Sequence, residues 1–146
     1  MKPLLRSVRV FALATLLAVP LVRAEVNVVE KVATDVYFHE GDIGRSGHCN
    51  NGWIVFNDYV LVIDANFPSG AQVVLPKIKQ ATDKPIKFAF DTHHHGDHAD
   101  GDVQFVKLGA TAIANERSRP LFETTGIQGF EGAKKSRAAE YGELSY

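Results

Sequence analysis

The sequence predicts an α/β (α+β) domain, because short apolar segments with strand patterns alternate with segments that have helical spacing. Residues 53–63 have the pattern of a β-hairpin, in which two apolar runs flank a two-residue polar turn. Apolar residues spaced for one buried helix face follow at 71–81, and a short apolar strand follows at 86–90. A helix at 102–108 and a strand at 111–114 repeat this order, which is the rhythm of β-α-β units.

Two further strands and a loop are predicted ahead of the hairpin. Apolar positions alternate between residues 26 and 39 on either side of a turn at 33–35, a pattern that predicts two short strands. Residues 41–52 contain four glycines and two adjacent asparagines. This composition is typical of a loop, so we expect the strand order to be interrupted there.

Helix boundaries are predicted from capping residues and prolines. Ser69 is the predicted N-cap of the helix at 71–81. Pro76 is expected to kink or delay that helix, because proline removes a backbone hydrogen bond. Gly101 is expected to permit a close backbone approach before the next helix, and Asn115 is the predicted cap of a last one.

The first 24 residues have the composition of a secretory signal peptide. Basic residues precede an apolar stretch at 10–22, and the small side chains of Val22 and Ala24 suit cleavage after Ala24. The apolar stretch is too short for a stable membrane span, although an uncleaved anchor remains the alternative. We therefore expect an exported protein, located in the bacterial periplasm.

Charge and cysteine content exclude several classes of partner. Removing the four basic residues of the first 24 leaves 12 basic against 17 acidic residues, a formal charge of −5. This balance favours neither nucleic acid nor an anionic membrane surface as a partner. The single Cys49 cannot form an internal disulfide, and no second cysteine offers a thiolate metal site.

The most informative motif is the run Thr-His-His-His-Gly-Asp-His at residues 92–98, which directly follows the predicted strand at 86–90. Residues i and i+2 of an extended segment or turn point the same way, so His93 and His95 are expected to bind one metal ion. Asp97 and His98 follow one turn later and can reach a second ion. Imidazole and carboxylate donors suit zinc or iron better than calcium or magnesium.

The alternative interpretation is a solvated turn that binds metal only adventitiously. The position of the motif favours a functional site, because the carboxyl ends of strands are where open α/β sheets place their chemistry. The middle residue, His94, is expected to face solvent or to support the site without binding the ion.

The motif Thr92-His93-x-His95-x-Asp97-His98, after a strand that ends Val60-Leu61-Val62-Ile63-Asp64, resembles the metallo-β-lactamase superfamily of metallohydrolases. The resemblance extends from about Val26 to about Asn115 and implies the N-terminal half of an αββα metallo-β-lactamase sandwich. It also implies two zinc ions in a complete protein, with iron as an alternative. The implied substrate is a small molecule whose amide, lactone, thioester or ester bond is attacked by metal-bound hydroxide.

The resemblance also implies individual roles. His93 and His95 would hold the first ion, and Asp97 and His98 would hold the second. Asp97 would be the catalytic residue, orienting the hydroxide or taking up its proton. Asp64 and Thr92 would support the metal loop by hydrogen bonding.

The resemblance further implies a later His, a bridging Asp and a last His as ligands, yet no histidine follows His98. We therefore divide the chain into a signal peptide at 1–24, a partial metallo-β-lactamase-like domain at 25–123 and a loop or weak helix at 124–146, and expect a truncated fragment. Three functions remain open: a zinc-dependent hydrolase, a non-catalytic metal-binding fragment, and an iron-dependent oxidoreductase on the same fold. Substrate and oligomeric state do not follow from the sequence.

Overall fold

The computed structural model describes residues 25–118 and 120–121. Six strands form one sheet in which each strand pairs with its neighbours in the sequence. The first four strands pair antiparallel, whereas β4, β5 and β6 run parallel. The strands are β1 Val29–Ala33, β2 Val36–His39, β3 Asn51–Val55, β4 Val60–Ile63, β5 Ile86–Asp91 and β6 Thr111–Ala114.

Three helices connect the parallel strands. Helix α1 (Pro68–Ala81) joins β4 to β5, while α2 (Gly96–Ala99) and α3 (Asp102–Val106) lie between β5 and β6. The predicted α/β (α+β) class is therefore confirmed. The predicted signal peptide and the C-terminal segment at 124–146 lie outside the described residues. Within the described part of the chain, the helices are too short or too polar to cross a membrane.

The start of α1 differs from the prediction. The helix begins at Pro68 with Phe67 at the N-cap, and no side chain caps it, so the assignment of Ser69 as N-cap is wrong. Proline suits the first helical position because the N–H that it lacks has no partner there in any helix. The helix also continues through Pro76 to Ala81, because burial of its inner face offsets the lost hydrogen bond.

The last elements differ in detail from the prediction. Helix α3 ends at Val106 instead of residue 108, and a 3-10 turn at Glu116–Ser118 follows β6. Asn115 acts at the start of this turn, where its Oδ1 accepts a hydrogen bond of 2.9 Å from the Arg117 N–H. Residues 120–121 are helical, and the remainder of the predicted final helix lies outside the described residues.

The helices cover one face of the sheet. Alternate residues of each strand point into this face. At its centre, neighbouring strands contribute Trp53, Val62 and Ala89, which are fully inaccessible to solvent. Helix α1 packs on it through Val74 and Ile78, among other residues of the same core. The side chains on the opposite face form rows that remain partly exposed, as alternation requires. Those rows include Phe38, Ile54, Leu61, Ile63, Phe88, Phe90 and Ile113.

Candidate metal centre

The predicted site lies at the carboxyl ends of β4 and β5. These strands are parallel and in register, with Ile63 opposite Phe90, so the residues that follow them emerge at one edge. The Asp64 N–H donates a hydrogen bond of 2.9 Å to the Phe90 carbonyl, which places Asp64 beside the start of the histidine motif. The sheet thus brings together two segments that are distant in the sequence.

Asp64 contacts both ends of the motif. Its Oδ1 accepts hydrogen bonds of 2.8 Å from the Thr92 N–H and from the Thr92 hydroxyl. Its Oδ2 lies 3.0 Å from His98 Nδ1, close enough for charge attraction although the contact lacks hydrogen-bond geometry. The residue is buried and has a positive φ of 62°, an unusual backbone conformation for a residue with a side chain. One carboxylate therefore connects the start of the motif to its last histidine.

The next two residues hold the backbone of α2. The Ala65 and Asn66 N–H groups both donate to the His98 carbonyl, at 2.5 and 3.2 Å, and the Gly101 N–H donates to the Asn66 carbonyl at 2.6 Å. A Cβ atom at Gly101 would overlap the carbonyl oxygens of Ala65 and Asn66. The predicted close approach at Gly101 is confirmed, and it is what allows α2 to lie directly against this loop.

Asn66 connects the same loop to the segment that precedes β3. It is fully buried with a φ of 65°. Its Nδ2 donates to the Cys49 carbonyl and to Asn51 Oδ1, both at 2.9 Å, while its Oδ1 accepts from the Phe67 N–H at 2.8 Å. Asn51 Nδ2 donates in turn to the Asp64 carbonyl at 2.5 Å. Sequence analysis placed Asn51 in a loop and assigned Asn66 no role.

The four predicted donors lie side by side as two pairs. His93 and His95 follow β5 in a bend, and His93 Nε2 lies 3.2 Å from His95 Nδ1. Asp97 and His98 lie on α2, and Asp97 Oδ2 is 3.4 Å from His98 Nε2. The rings of His93 and His98 have centroids 4.0 Å apart, so the pairs adjoin each other. The described residues nevertheless contain no group of three or more His, Cys, Asp or Glu placed to hold one ion.

Comparison with known proteins gives structural matches only. No protein-family model and no curated protein matches the sequence. A metallo-β-lactamase from Hirschia baltica is 23% identical, with a TM-score of 0.55, over 64% of this chain and 45% of that one. A B3 metallo-β-lactamase with an active-site glutamic acid is 25% identical, with a TM-score of 0.56, over 68% of this chain and 36% of that one.

A metallo-β-lactamase from Pseudomonas aeruginosa, in a mono-zinc form, is 19% identical with a TM-score of 0.54, over 64% of this chain and 44% of that one. The chain has the metallo-β-lactamase fold. It spans 36–45% of the length of these three structures, so the shared architecture covers part of that fold.

The donors at this edge of the metallo-β-lactamase fold suit zinc. Two ligands at about 2.0–2.1 Å from one tetrahedral ion lie about 3.3 Å apart. The separations of 3.2 Å in the first pair and 3.4 Å in the second agree with that value. The shorter one is also a hydrogen-bond distance between two rings. Each pair therefore has the spacing of two ligands of one tetrahedral ion.

Neighbouring contacts favour a tautomer of His93 that suits such an ion. His93 Nδ1 lies 3.1 Å from the Thr92 hydroxyl, which itself donates to Asp64. In the tautomer that donates from Nδ1, His93 Nε2 carries the lone pair. His98 Nδ1 faces the Asp64 carboxylate at 3.0 Å, and its Nε2 faces Asp97. Asp64 therefore contacts His98 directly and reaches His93 through the Thr92 hydroxyl.

Electrostatics favour the protonation states that metal binding needs. Burial, together with the neighbouring His98 and His95 rings, lowers the pKa of His93 and so favours its neutral form. Burial, with the Asp64 and Asp97 carboxylates, raises the pKa of the Cys49 thiol to about 12. Cys49 is therefore protonated at neutral pH and donates to the Asp97 backbone carbonyl.

Sequence analysis also missed a contact between the loop at 41–52 and helix α1. His48 Nε2 lies 3.0 Å from Ser69 Oγ, and His48 is buried. The Ser69 hydroxyl, which was predicted to cap α1, therefore connects that helix to the loop at 41–52. Within a single sequence no local pattern relates these two positions.

Proposed function

We propose that this chain carries the metal-binding loop of a zinc-dependent hydrolase of the metallo-β-lactamase superfamily. The observation that carries the proposal is the juxtaposition of two donor pairs, His93 with His95 and Asp97 with His98, at ligand-like separations. A solvated turn would have no reason to direct four donors toward one another. The three matching structures are metallo-β-lactamases, one of them in a mono-zinc form, which supports this proposal.

The residues of the chain would then have distinct tasks. His93 Nε2 and His95 Nδ1 would bind one zinc ion, and Asp97 Oδ2 and His98 Nε2 would bind a second. Zinc held there would supply Lewis acidity, lowering the pKa of water and polarising a carbonyl or phosphoryl oxygen of the substrate. The Asp97 carboxylate, which is half-buried beside the donors, would orient the attacking water and accept its proton.

Asp64 and Thr92 would act by orienting the donors. The hydroxyl of Thr92 contacts both the Asp64 carboxylate and His93, and the same carboxylate faces His98. Fixed imidazole tautomers raise metal affinity because no reorientation is needed when the ion binds. We propose a small molecule with an amide, lactone, thioester or ester bond as the substrate class.

The test combines zinc affinity with turnover in the 146-residue chain. We expect His95→Ala and Asp97→Ala each to weaken zinc binding by roughly a factor of ten or more, because each pair loses one of its two donors. Competition with a chromophoric chelator measures the affinity. Zinc-dependent hydrolysis of a panel of chromogenic β-lactams, esters and thioesters should be abolished in both variants.

His94→Ala is the matched control, because it removes a neighbouring imidazole that belongs to neither donor pair. It should bind zinc as the unchanged chain does, and circular dichroism should show that all three variants remain folded. Unchanged zinc affinity or retained turnover in His95→Ala or Asp97→Ala contradicts the proposed site. Iron in place of zinc in the purified protein, measured by elemental analysis, contradicts the proposed cofactor.

A further inference from the structure

The two donor pairs are attached to the backbone at different distances from β5. His93 lies in the bend that directly continues β5, where the side chain of Asp64 fixes the preceding Thr92, whereas His95 is already the N-cap residue of α2. Asp97 and His98 lie on α2, a helix of four residues. A helix this short has few hydrogen bonds of its own, so its position depends on contacts with other segments.

Asn66 makes one backbone contact within α2, which carries the second pair, and one with Gly101, just beyond that helix. Its N–H donates to the His98 carbonyl at 3.2 Å, and its carbonyl accepts from the Gly101 N–H at 2.6 Å. The neighbouring Ala65 N–H adds a second bond to the same His98 carbonyl, at 2.5 Å. The backbone around Asn66 therefore fixes where α2 lies relative to β4.

The side chain of Asn66 fixes that backbone. Both of its polar ends are hydrogen-bonded, to Cys49, Asn51 and Phe67, and the residue is fully buried. Its positive φ of 65° is a conformation that asparagine tolerates better than most residues that carry a Cβ. Replacement by alanine removes the side-chain bonds and the preference for this conformation together.

We propose that Asn66 is a positioning residue mainly for the second donor pair, Asp97 and His98, and acts less on the first pair, in which His93 is held from β5 and only His95 adjoins α2. This inference rests on the proposed zinc site. It goes further in assigning the support of the second pair to the loop after β4, so that the second pair is weakened more than the first. Asn66 contacts no ion and acts only through the backbone of α2.

The experiment isolates each pair before Asn66 is changed. In the 146-residue chain, His95→Ala leaves Asp97 and His98 as the intact pair, and Asp97→Ala leaves His93 and His95. Zinc affinity is measured by chelator competition in each background with and without Asn66→Ala. We expect a loss of roughly tenfold in the His95→Ala background and less than about twofold in the Asp97→Ala background.

Two further variants separate positioning from general destabilisation. Val74→Ala opens a cavity in the core beneath α1, away from the site, and should lower the stability while leaving both zinc affinities unchanged. Asn66→Gly permits the positive φ but lacks the side-chain bonds, so it should restore part of the lost affinity. It also provides a second variant if Asn66→Ala does not fold.

The outcomes are distinct. Selective loss in the His95→Ala background, with partial recovery in Asn66→Gly, supports the positioning role. Equal losses in both backgrounds, no loss in either, or a loss of the same pattern in Val74→Ala overturns it. If the unchanged chain binds no zinc, the proposed function fails and the inference fails with it, whereas zinc binding that ignores Asn66 overturns the inference alone.

Discussion

The loop at residues 64–67 and the donor segment at residues 92–95 lie side by side at the edge of the sheet, yet they are built differently. The loop is largely buried, and its hydrogen bonds are directed to three other segments of the chain. In the donor segment, Thr92 and His95 are exposed and the backbone follows a bend. The comparison teaches that different segments position the donor side chains and give an ion access to them. The buried loop fixes the geometry, while the exposed donors remain open to an ion.

The buried loop also contains the unusual backbone conformations. Asp64 and Asn66 both have a positive φ, which costs about 1–2 kcal/mol for a residue with a side chain. Such conformations persist only when surrounding contacts fix them, and they are common where a protein positions functional groups. The hydrogen bonds of both side chains provide those contacts here.

Gly101→Ala should have the largest effect, because it forces the buried loop away from the turn that follows α2. The added Cβ would overlap the Ala65 and Asn66 carbonyls, which are backbone atoms that cannot rotate away. We expect the free energy of unfolding to fall by about 1–3 kcal/mol or more, measured by urea denaturation. Gly44→Ala is the control, because a Cβ there meets no atom within 4 Å, and it should change the stability little. Equal stabilities of the two variants would mean that the close approach does not exist.

Asp64→Asn tests how the buried loop affects zinc binding at the site itself. The amide keeps an oxygen that can accept from Thr92, so the fold should survive, but the negative charge facing His98 is lost. We expect zinc affinity to decrease by about 10–100-fold. Asp58→Asn removes the same charge from the hairpin turn, where the residue is exposed, and should leave the affinity unchanged. A similar decrease in both variants would indicate a general effect of net charge.

The smallest expected effect is the contribution of the buried His39 to the pH dependence of stability. His39 is fully buried, and burial, with help from the nearby charges of Lys77 and His48, lowers its pKa below 6.5, although Asn51 opposes the shift. The unfolded chain takes up this proton near pH 6.5 and the folded chain only at lower pH. The unfolded state therefore binds more protons as pH falls below about 6.5, and the stability decreases there.

His39→Gln tests this contribution. Urea denaturation at pH 7.5 and 5.5, with a chelator present so that zinc does not contribute, should show a smaller loss of stability in the variant than in the unchanged chain. His93 and His94 also have lowered pKa values, but they are present in both proteins and do not affect the difference. Identical pH dependences would remove His39 as a contributor.

Much of the fold could be predicted because its signals are local. Alternating apolar residues predicted the strands, and the prediction for β6 at residues 111–114 coincides with the observed Thr111–Ala114. The position of the histidines at the edge of the sheet was predicted from the strand that directly precedes them. The start of α1 was wrong because Ser69 is a good cap in isolation, whereas Pro68 already occupies the first helical position.

The resemblance suggested support from Asp64 and Thr92, but the support from Asn66 could not be predicted, because it depends on pairs of residues that are distant in the sequence. Asn66 bonds to Cys49 and Asn51, and no pattern in one sequence indicates that these residues meet. The positive φ of Asn66 is equally hidden, since asparagine occurs in many backbone conformations. Gly101 was the exception, because a glycine just before a helix already suggests a close approach.

The order of the strands has a consequence for how the protein folds. Each strand pairs with the strand before it in the sequence, so the sheet can extend from β1 to β6 as the chain leaves the ribosome. The antiparallel strands need only short loops to close, and short closures are fast. The donor histidines lie between β5 and β6, at the growing end of the sheet. The loop that orients them gains its contacts to Phe90, Thr92 and His98 only once β5 has paired with β4, so the loop and the donor segment become ordered together.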